Sequence, residues 1–422
     1  MTDDLQEEFF SYWQGGCCLI DLSQTDSGRV SGITFGKNND VIVTDDIQNT
    51  FKKLPTLRGK GKISNYPIYK IVTTACPRPL IGSWPPKNVG DILFWQRKLD
   101  KNCCLKIENK IAEAYRLKYE IALIVIESPL MMYGLFVCFN QEKTLSPGKR
   151  AGKLKEYLYS QPIVPMTVFR LDDRYLAERN IPGKKTLAAK RICLVGCGTI
   201  GGYLAEMLVK AGAGTLGGKL ILVDNDILAP QNLGRHRLGF SHLFGNKAEK
   251  LAEELYRTMP TSDVKVLPVD IREAFLSDID LLIDATGEES LGHWMAAKYA
   301  SKFSILSTWI EGPGIAVRTL MHTQPDGACF RCLSDHNREN RFMAVSANYE
   351  PIYSGQGCES LYVPFSASVS VQAASLAMDA ALDWVAGIDQ PTLRTRVVDT
   401  SYTLGTLDCS PPAIKDCPAC HF

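Results

Sequence analysis

Arg191-Ile-Cys-Leu-Val195, running directly into Gly196-Cys-Gly198-Thr-Ile-Gly201, decides how this chain is read. The first five residues form a short, largely apolar run of the kind buried on both faces in a parallel sheet. After the glycines, Leu204, Met207, Leu208 and Ala211 share one face of a helix that stops at Gly212 and Gly214. Gly-x-Gly-x-x-Gly therefore stands at a strand-to-helix turn. There the missing Cβ atoms let the backbone approach phosphates, and the first helical amides point at the anion. The next strand, Lys219–Val223, ends in Asp224, placed to accept hydrogen bonds from ribose hydroxyls. A glycine triplet alone fits tight helix–sheet packing equally well. Strand, loop, helix, strand and terminal Asp together indicate a nucleotide site.

Which nucleotide is decided further along, because hydride-transferring dinucleotide folds share this opening. Asp224-Asn-Asp226-Ile-Leu-Ala-Pro-Gln-Asn232-Leu-Gly-Arg235-His236 is followed by Gly245-Asn-Lys247-Ala248. A hydride-transfer site needs no cluster of cations beyond the pyrophosphate. A site that cleaves ATP between its α and β phosphates does, because charge builds on the departing diphosphate. Arg235 and Lys247 supply that charge, with Asn232 as a neutral donor. Asp280-Leu-Leu-Ile-Asp284 is another apolar strand ending in Asp at the carboxyl edge, where ligands collect in such sheets. Asp284 is accordingly a candidate Mg²⁺ ligand. Taken singly, each charged residue reads as well as a solvated surface group; the ordered set after a nucleotide loop favours the site.

In this order, Gly-x-Gly-x-x-Gly, Asp-x-Asp, Asn-Leu-x-Arg and Gly-Asn-Lys-Ala resemble the ThiF/MoeB/HesA-type adenylation domain of ubiquitin-activating enzymes and sulfur-carrier activators. The last motif is one residue shorter here than the family's Gly-x-x-Lys-Ala. The resemblance covers residues 171–422 and implies an α/β fold, a Rossmann-like adenylation domain with a parallel-rich sheet and a zinc knuckle. It implies that Gly196, Gly198, Gly201, Asp224, Asp226 and Asn232 bind ATP, that Arg235 and Lys247 contact the phosphates, and that Asp284 binds Mg²⁺. An arginine just before the glycine loop often enters the partner subunit's ATP site in that family; Arg179 is preferred over Arg174 for this role, which implies a homodimer. His236 stands where sulfur-carrier activators usually have Gln. Asn-Leu-x-Arg-His is more similar to activating enzymes of bacterial ubiquitin-like conjugation systems in antiviral defence loci.

Cys329-Phe-Arg-Cys332 and Cys417-Pro-Ala-Cys420 supply four thiolates, the number a closed tetrahedral Zn²⁺ site takes. Redox pairs or disulfides are the alternatives. A redox-active Cys-x-x-Cys normally opens a helix, whereas one pair here follows a Gly-containing turn and the other ends the chain. Zinc is also what the resemblance implies. Cys358, in Ser354-Gly-Gln-Gly-Cys358, has no cysteine neighbour for metal pairing; it reads as a thiol on a glycine-rich loop able to swing to an acyl adenylate. In the resembled family a crossover loop in this position, around residues 340–362, often carries the thioester- or persulfide-forming cysteine. An incidental thiol is the plain alternative. A small-residue helix, Ala367 to Ala386, follows.

The 422 residues divide into an N-terminal α/β region, 1–170, and the adenylation domain, 171–422. The N-terminal region reads as an accessory domain or a degenerate adenylation domain. Its candidate strands are Cys17–Asp21, Val41–Thr44, Tyr66–Val72, Ile121–Ile126, Tyr133–Phe139 and Val164–Arg170, with one helical stretch from Phe94 to Leu117. Lys+Arg 47 against Asp+Glu 46 favours neither nucleic acid nor an anionic membrane surface. No run reaches the length of a membrane span, and the acidic N-terminus is unlike a secretory signal, so a soluble, cytoplasmic protein is expected. Of the 14 cysteines, Cys138, Cys193 and Cys197 are expected to be buried small hydrophobes.

The expected activity is ATP-dependent adenylation of the C-terminal carboxylate of a small ubiquitin-like protein ending in Gly. Thioester formation on Cys358 and transfer to a conjugating enzyme follow. Activation of a sulfur-carrier protein is the nearest rival, a nicotinamide-dependent oxidoreductase a remote one, and an adenylation-dead scaffold a third.

Overall fold

The computed structural model describes residues 3–22, 28–35, 40–58, 62–80, 84–139, 150–181, 183, 185–323, 327–349, 353 and 362–420. Contacts divide the chain into two units, Met1–Tyr175 and Leu176–Phe422.

In the first unit, β1 (Cys17–Asp21), β2 (Gly28–Phe35), β3 (Asp40–Thr44), β4 (Lys62–Val72), β5 (Ile121–Glu127), β6 (Met132–Cys138) and β7 (Ile163–Arg170) close into a barrel. Their order is β1-β3-β2-β4-β5-β6-β7, with β1 parallel to both β3 and β7. Strand alternation splits the apolar residues into two sets. Leu123 and Val125 join Cys18, Val43, Ile68 and Met166 in a cluster of strand residues to which Leu22, just past β1, is added, while Ala122, Ile124 and Ile126 pack under helices. The single helical stretch expected between Phe94 and Leu117 is two helices, Val89–Leu99 and Lys101–Arg116. Asp100 between them is extended, and its carboxylate accepts from the Asn102 and Cys103 amides, so it caps the second helix and ends the first. Strand β2 escaped the sequence reading because Gly32 interrupts its apolar alternation. A Cβ there would overlap the Tyr66 ring, which fills the space instead. Cys103 and Cys104 are core residues. Cys138 differs from expectation: it ends β6 on the outward side of the alternation and is exposed.

The second unit is the expected parallel-rich sheet. Strands β8 (Arg191–Val195), β9 (Lys219–Val223), β10 (Val264–Leu267), β11 (Leu281–Asp284), β12 (Ser304–Glu311), β13 (Ala316–His322) and β14 (Leu393–Val397) lie in the order β10-β9-β8-β11-β12-β13-β14. The first five are parallel; β13 and β14 are added antiparallel. From β8 the chain proceeds outward to β9 and β10, then returns to β11 on the other side of β8. Such a reversal opens a crevice at the carboxyl ends of the two central strands. Val195 pairs with both Val223 and Asp284, so the glycine loop, Asp224 and Asp284 all emerge at that one edge. The helix Ala367–Ala386 packs its alanines against the helix Thr199–Lys210 and the sheet in one continuous core. No helix among the described residues is long and apolar enough to cross a membrane.

Candidate active site

The glycines hold the site open in three different ways. Gly196 has φ +88°, and a Cβ on it would lie 2.9 Å from the Ala285 carbonyl carbon and the Thr286 nitrogen. At Gly201 a Cβ would collide with the Gly196 carbonyl oxygen, so only glycine lets the helix start this close to the strand. Gly198 has open space around it and caps the helix Thr199–Lys210 without a side-chain hydrogen bond, which leaves the first helical amides available to an anion.

Asp224 accepts from the Cys197 amide at 2.7 Å and from the Asp226 amide at 2.8 Å. Burial pushes its pKa up, against the pull of those amides and of Lys247. Asn246 caps the helix Lys247–Thr258 through Oδ1, while its Nδ2 donates to the carbonyls of Asp224 and Asp226. That bond ties the ribose-side strand to the start of the lysine helix. Lys247, buried at the first position of that helix, donates from Nζ to Asp226 Oδ2 at 2.8 Å. Arg235 is pressed against the Phe365 ring at 4.2 Å and donates to the Val363 carbonyl. Its Nε is buried with no partner among the described residues. Asn232 Oδ1 accepts from the Ala229 amide and shapes the turn before Arg235. A cavity of about 650 Å³ collects Gly196, Gly198, Asp224, Asp226, Asn232, Arg235, His236 and Lys247 on its walls.

His236 acts from behind. Its Nδ1 accepts from the Leu238 amide, so Nε2 carries the proton and donates to the Cys197 carbonyl at 3.0 Å. The ring thus bolts the glycine loop to the arginine segment as a neutral imidazole, and burial lowers its pKa to about 4. A base whose folded pKa lies below its ordinary 6.5 supplies stability that is intact above 6.5 and lost as pH falls towards 4. Urea melts between pH 7 and 4 should show this loss, on the order of 3 kcal/mol at most, and His236→Gln should flatten it. An identical acid profile in the variant would contradict the assignment.

Asp284 stands apart from the others. It is not on the wall of the nucleotide cavity but on that of an adjoining one of about 460 Å³, which shares Gly287 and Glu288 with the first. Its Oδ1 accepts from the Thr286 amide and hydroxyl. Burial raises its pKa to about 6, with no cationic side chain among the described residues offsetting it. A buried carboxylate in that condition suits a divalent cation. Arg174 lies on the exposed face of the short helix Asp173–Glu178, and Arg179 follows it, also exposed and outside the nucleotide cavity's lining. Cys358 lies outside the described residues, as does much of the expected crossover loop.

The four paired cysteines converge. Their Sγ atoms all lie within 4.8 Å of one another, with Cys329–Cys332 at 3.7 Å, Cys329–Cys417 at 3.8 Å and Cys332–Cys420 at 3.6 Å. Four sulfurs about 2.3 Å from a tetrahedral ion stand roughly 3.8 Å apart, whereas a disulfide needs about 2.05 Å. The group can hold a metal ion. Contrary to expectation, Cys329 does cap a helix, Phe330–Arg338, so its position does not exclude a redox pair. The four-sulfur geometry carries the assignment instead.

Sequence reasoning missed Asn246 and Thr286. An Asn before Lys-Ala-Glu is a legible helix cap; its second bond, to the neighbouring strand end, is not.

An α/β fold with an adenylation-type nucleotide crevice defines the class, and the ThiF family model matches residues 173–419. The chain belongs to the ThiF family. It is 50% identical to the ATP-dependent ubiquitin transferase-like protein Cap2 of Pseudomonas aeruginosa, across 100% of this chain and 78% of that protein. To the protein of the same name in Escherichia coli it is 29% identical, over 90% of this chain and 70% of the relative. Among solved structures, Escherichia coli MccB with ATP aligns at 18% identity and a TM-score of 0.40, over 55% of this chain and 66% of that one.

Proposed function

We propose that the chain activates a small ubiquitin-like protein with ATP. The observation that carries this reading is the convergence of two cations, Arg235 and Lys247, with the glycine loop and Asp224 on one cavity. The terminal carboxylate of the small protein attacks the α-phosphorus of ATP; the bond from that phosphorus to the bridging oxygen breaks, and diphosphate leaves. Lys247 turns from Asp226 to the phosphates, and Arg235 presents its guanidinium from the same cavity wall, so charge on the leaving group meets cations already in place on that wall. Asp284 would hold Mg²⁺, which offsets triphosphate charge when bound. The Cys358 thiolate then attacks the acyl carbon, AMP departs, and a thioester remains for a conjugating enzyme. Arg179 enters the second copy's site in a symmetric homodimer. The first unit, whose closed barrel has a different topology from the second, serves partner binding.

The names of the two bacterial relatives support ubiquitin-like transfer over sulfur-carrier activation. The cation pair speaks against hydride transfer and against an inert scaffold. A role in bacterial antiviral defence belongs to the same proposal and comes from the resemblance carried by Asn232-Leu-Gly-Arg235-His236. A cytoplasmic location fits a reduced four-cysteine group.

Incubation with magnesium ATP and small proteins ending in Gly should give a thiol-sensitive mass adduct that disappears in Cys358→Ala. Adenylate formation without any adduct on Cys358 would remove the thioester step and favour the sulfur-carrier rival.

A further inference from the structure

We propose that Glu311, backed by the buried Arg318, is a positioning residue: it fixes the Trp309 indole as the wall against which the acceptor's extended tail lies. This rests on the adenylation reading above. The end of β12 lies between the two cavities: Ser307, Thr308, Trp309 and Glu311 line the adjoining one, while Ile310 and, just past the strand, Gly312 line the nucleotide cavity. Asp284 stands on that second cavity too, and the cavity shares Gly287 and Glu288 with the nucleotide cavity, so an occupant of the second cavity lies next to that of the first. Trp309 and Phe330 meet edge to face at 5.5 Å, and Ser307, Ser334 and Asn337 add polar edges. Glu288, Glu289 and Arg338 complete the rim, with Arg338 and Glu289 3.9 Å apart. An aromatic plane with polar edges of this kind suits a peptide backbone with small side chains.

The indole does not stand there by packing alone. Trp309 Nε1 donates to Glu311 Oε1 at 2.9 Å. The same oxygen accepts from Arg318 at 3.2 Å, and Tyr349 donates its hydroxyl to Oε2 at 3.2 Å. Arg318 is only 1% exposed, in the middle of β13, opposite Trp309. Its Nε donates to Thr395 Oγ1, and its remaining amine to the Phe342 carbonyl at 2.6 Å. A guanidinium this deep is tolerated only when its charge and its donors are satisfied. Glu311 satisfies the charge, and Arg318 in turn holds the carboxylate that aims the indole. Phe342, held at a positive φ of 53°, is fastened by the same guanidinium.

The test uses a synthetic pentapeptide, Ala-Leu-Ala-Gly-Gly with a free carboxylate, in ATP–diphosphate exchange. Trp309→Leu and Glu311→Leu should each raise the peptide KM by about tenfold while leaving kcat and the ATP KM unchanged. Glu311→Gln, which keeps an acceptor for the indole, should recover part of the loss. Should Glu311→Leu fail to fold, Trp309→Leu decides alone, since its ring is only half-buried. A peptide KM within twofold of the native value in Trp309→Leu, or an ATP KM rising in parallel, overturns the inference. Native enzyme that binds magnesium ATP by calorimetry yet shows no peptide-dependent exchange also overturns it. Native enzyme that binds no magnesium ATP fails earlier, at the adenylation reading itself.

Discussion

Replacing Lys247 by alanine should lower ATP–diphosphate exchange by about 10²–10³-fold, the loss typical of removing one fixed donor from a developing anion. The lysine is buried at the first position of its helix, where its own amide donates to the Asp226 carbonyl at 2.9 Å and Asn246 caps the turn. Backbone and cap remain in the variant, so the deficit reports the ammonium group rather than the fold. Asp226 is the resting partner of Lys247 and is largely exposed. Asp226→Asn should therefore be much milder. Retention of exchange within threefold in Lys247→Ala would mean that the arginines on the cavity wall, Arg235 and Arg272, carry the leaving-group charge without it.

The second large effect is on stability. With zinc in the four-cysteine group, Cys417→Ser should lose the metal, about one ion per chain, and lower the melting temperature of the second unit by about 10 °C or more. The reason is topological. Cys329 and Cys332 begin the helix Phe330–Arg338, whereas Cys417 and Cys420 belong to the final segment, which meets that helix in a small apolar cluster with Ala296 and Ala328. The ion supplies what so small a cluster lacks. Phe330 and Leu333 of the tethered helix also line the second cavity, so metal loss should raise the acceptor KM as well. Elemental analysis together with melts in the presence of a chelator checks both parts. A metal-free protein with an unchanged melt would contradict the assignment.

The nucleotide crevice was legible in the sequence because its requirements are local. The glycines answer to backbone geometry within a few residues: a left-handed φ at Gly196, contact between Gly201 and the Gly196 carbonyl, and open space at Gly198. Strands β8, β9 and β11 read clearly as apolar runs because a parallel sheet buries both of their faces. The supporting interactions were hidden because they join segments far apart in the chain. His236 bonds back to Cys197, Asn246 to Asp224, and Arg318 to Phe342 and Thr395. Asp284 read correctly as a carboxyl-edge aspartate, but nothing local tells that it faces the neighbouring cavity. In the first unit the barrel was illegible as a whole, since its closure depends on β1 pairing with β7, the last strand of that unit.

The bond broken in ATP tests the central claim most directly. With α-labelled ATP, magnesium and the acceptor protein, the native chain should yield labelled AMP and diphosphate in equal amounts, with the acyl adenylate trapped when thiols are blocked. Production of ADP and phosphate, or no acceptor-dependent cleavage at any magnesium concentration, would contradict it.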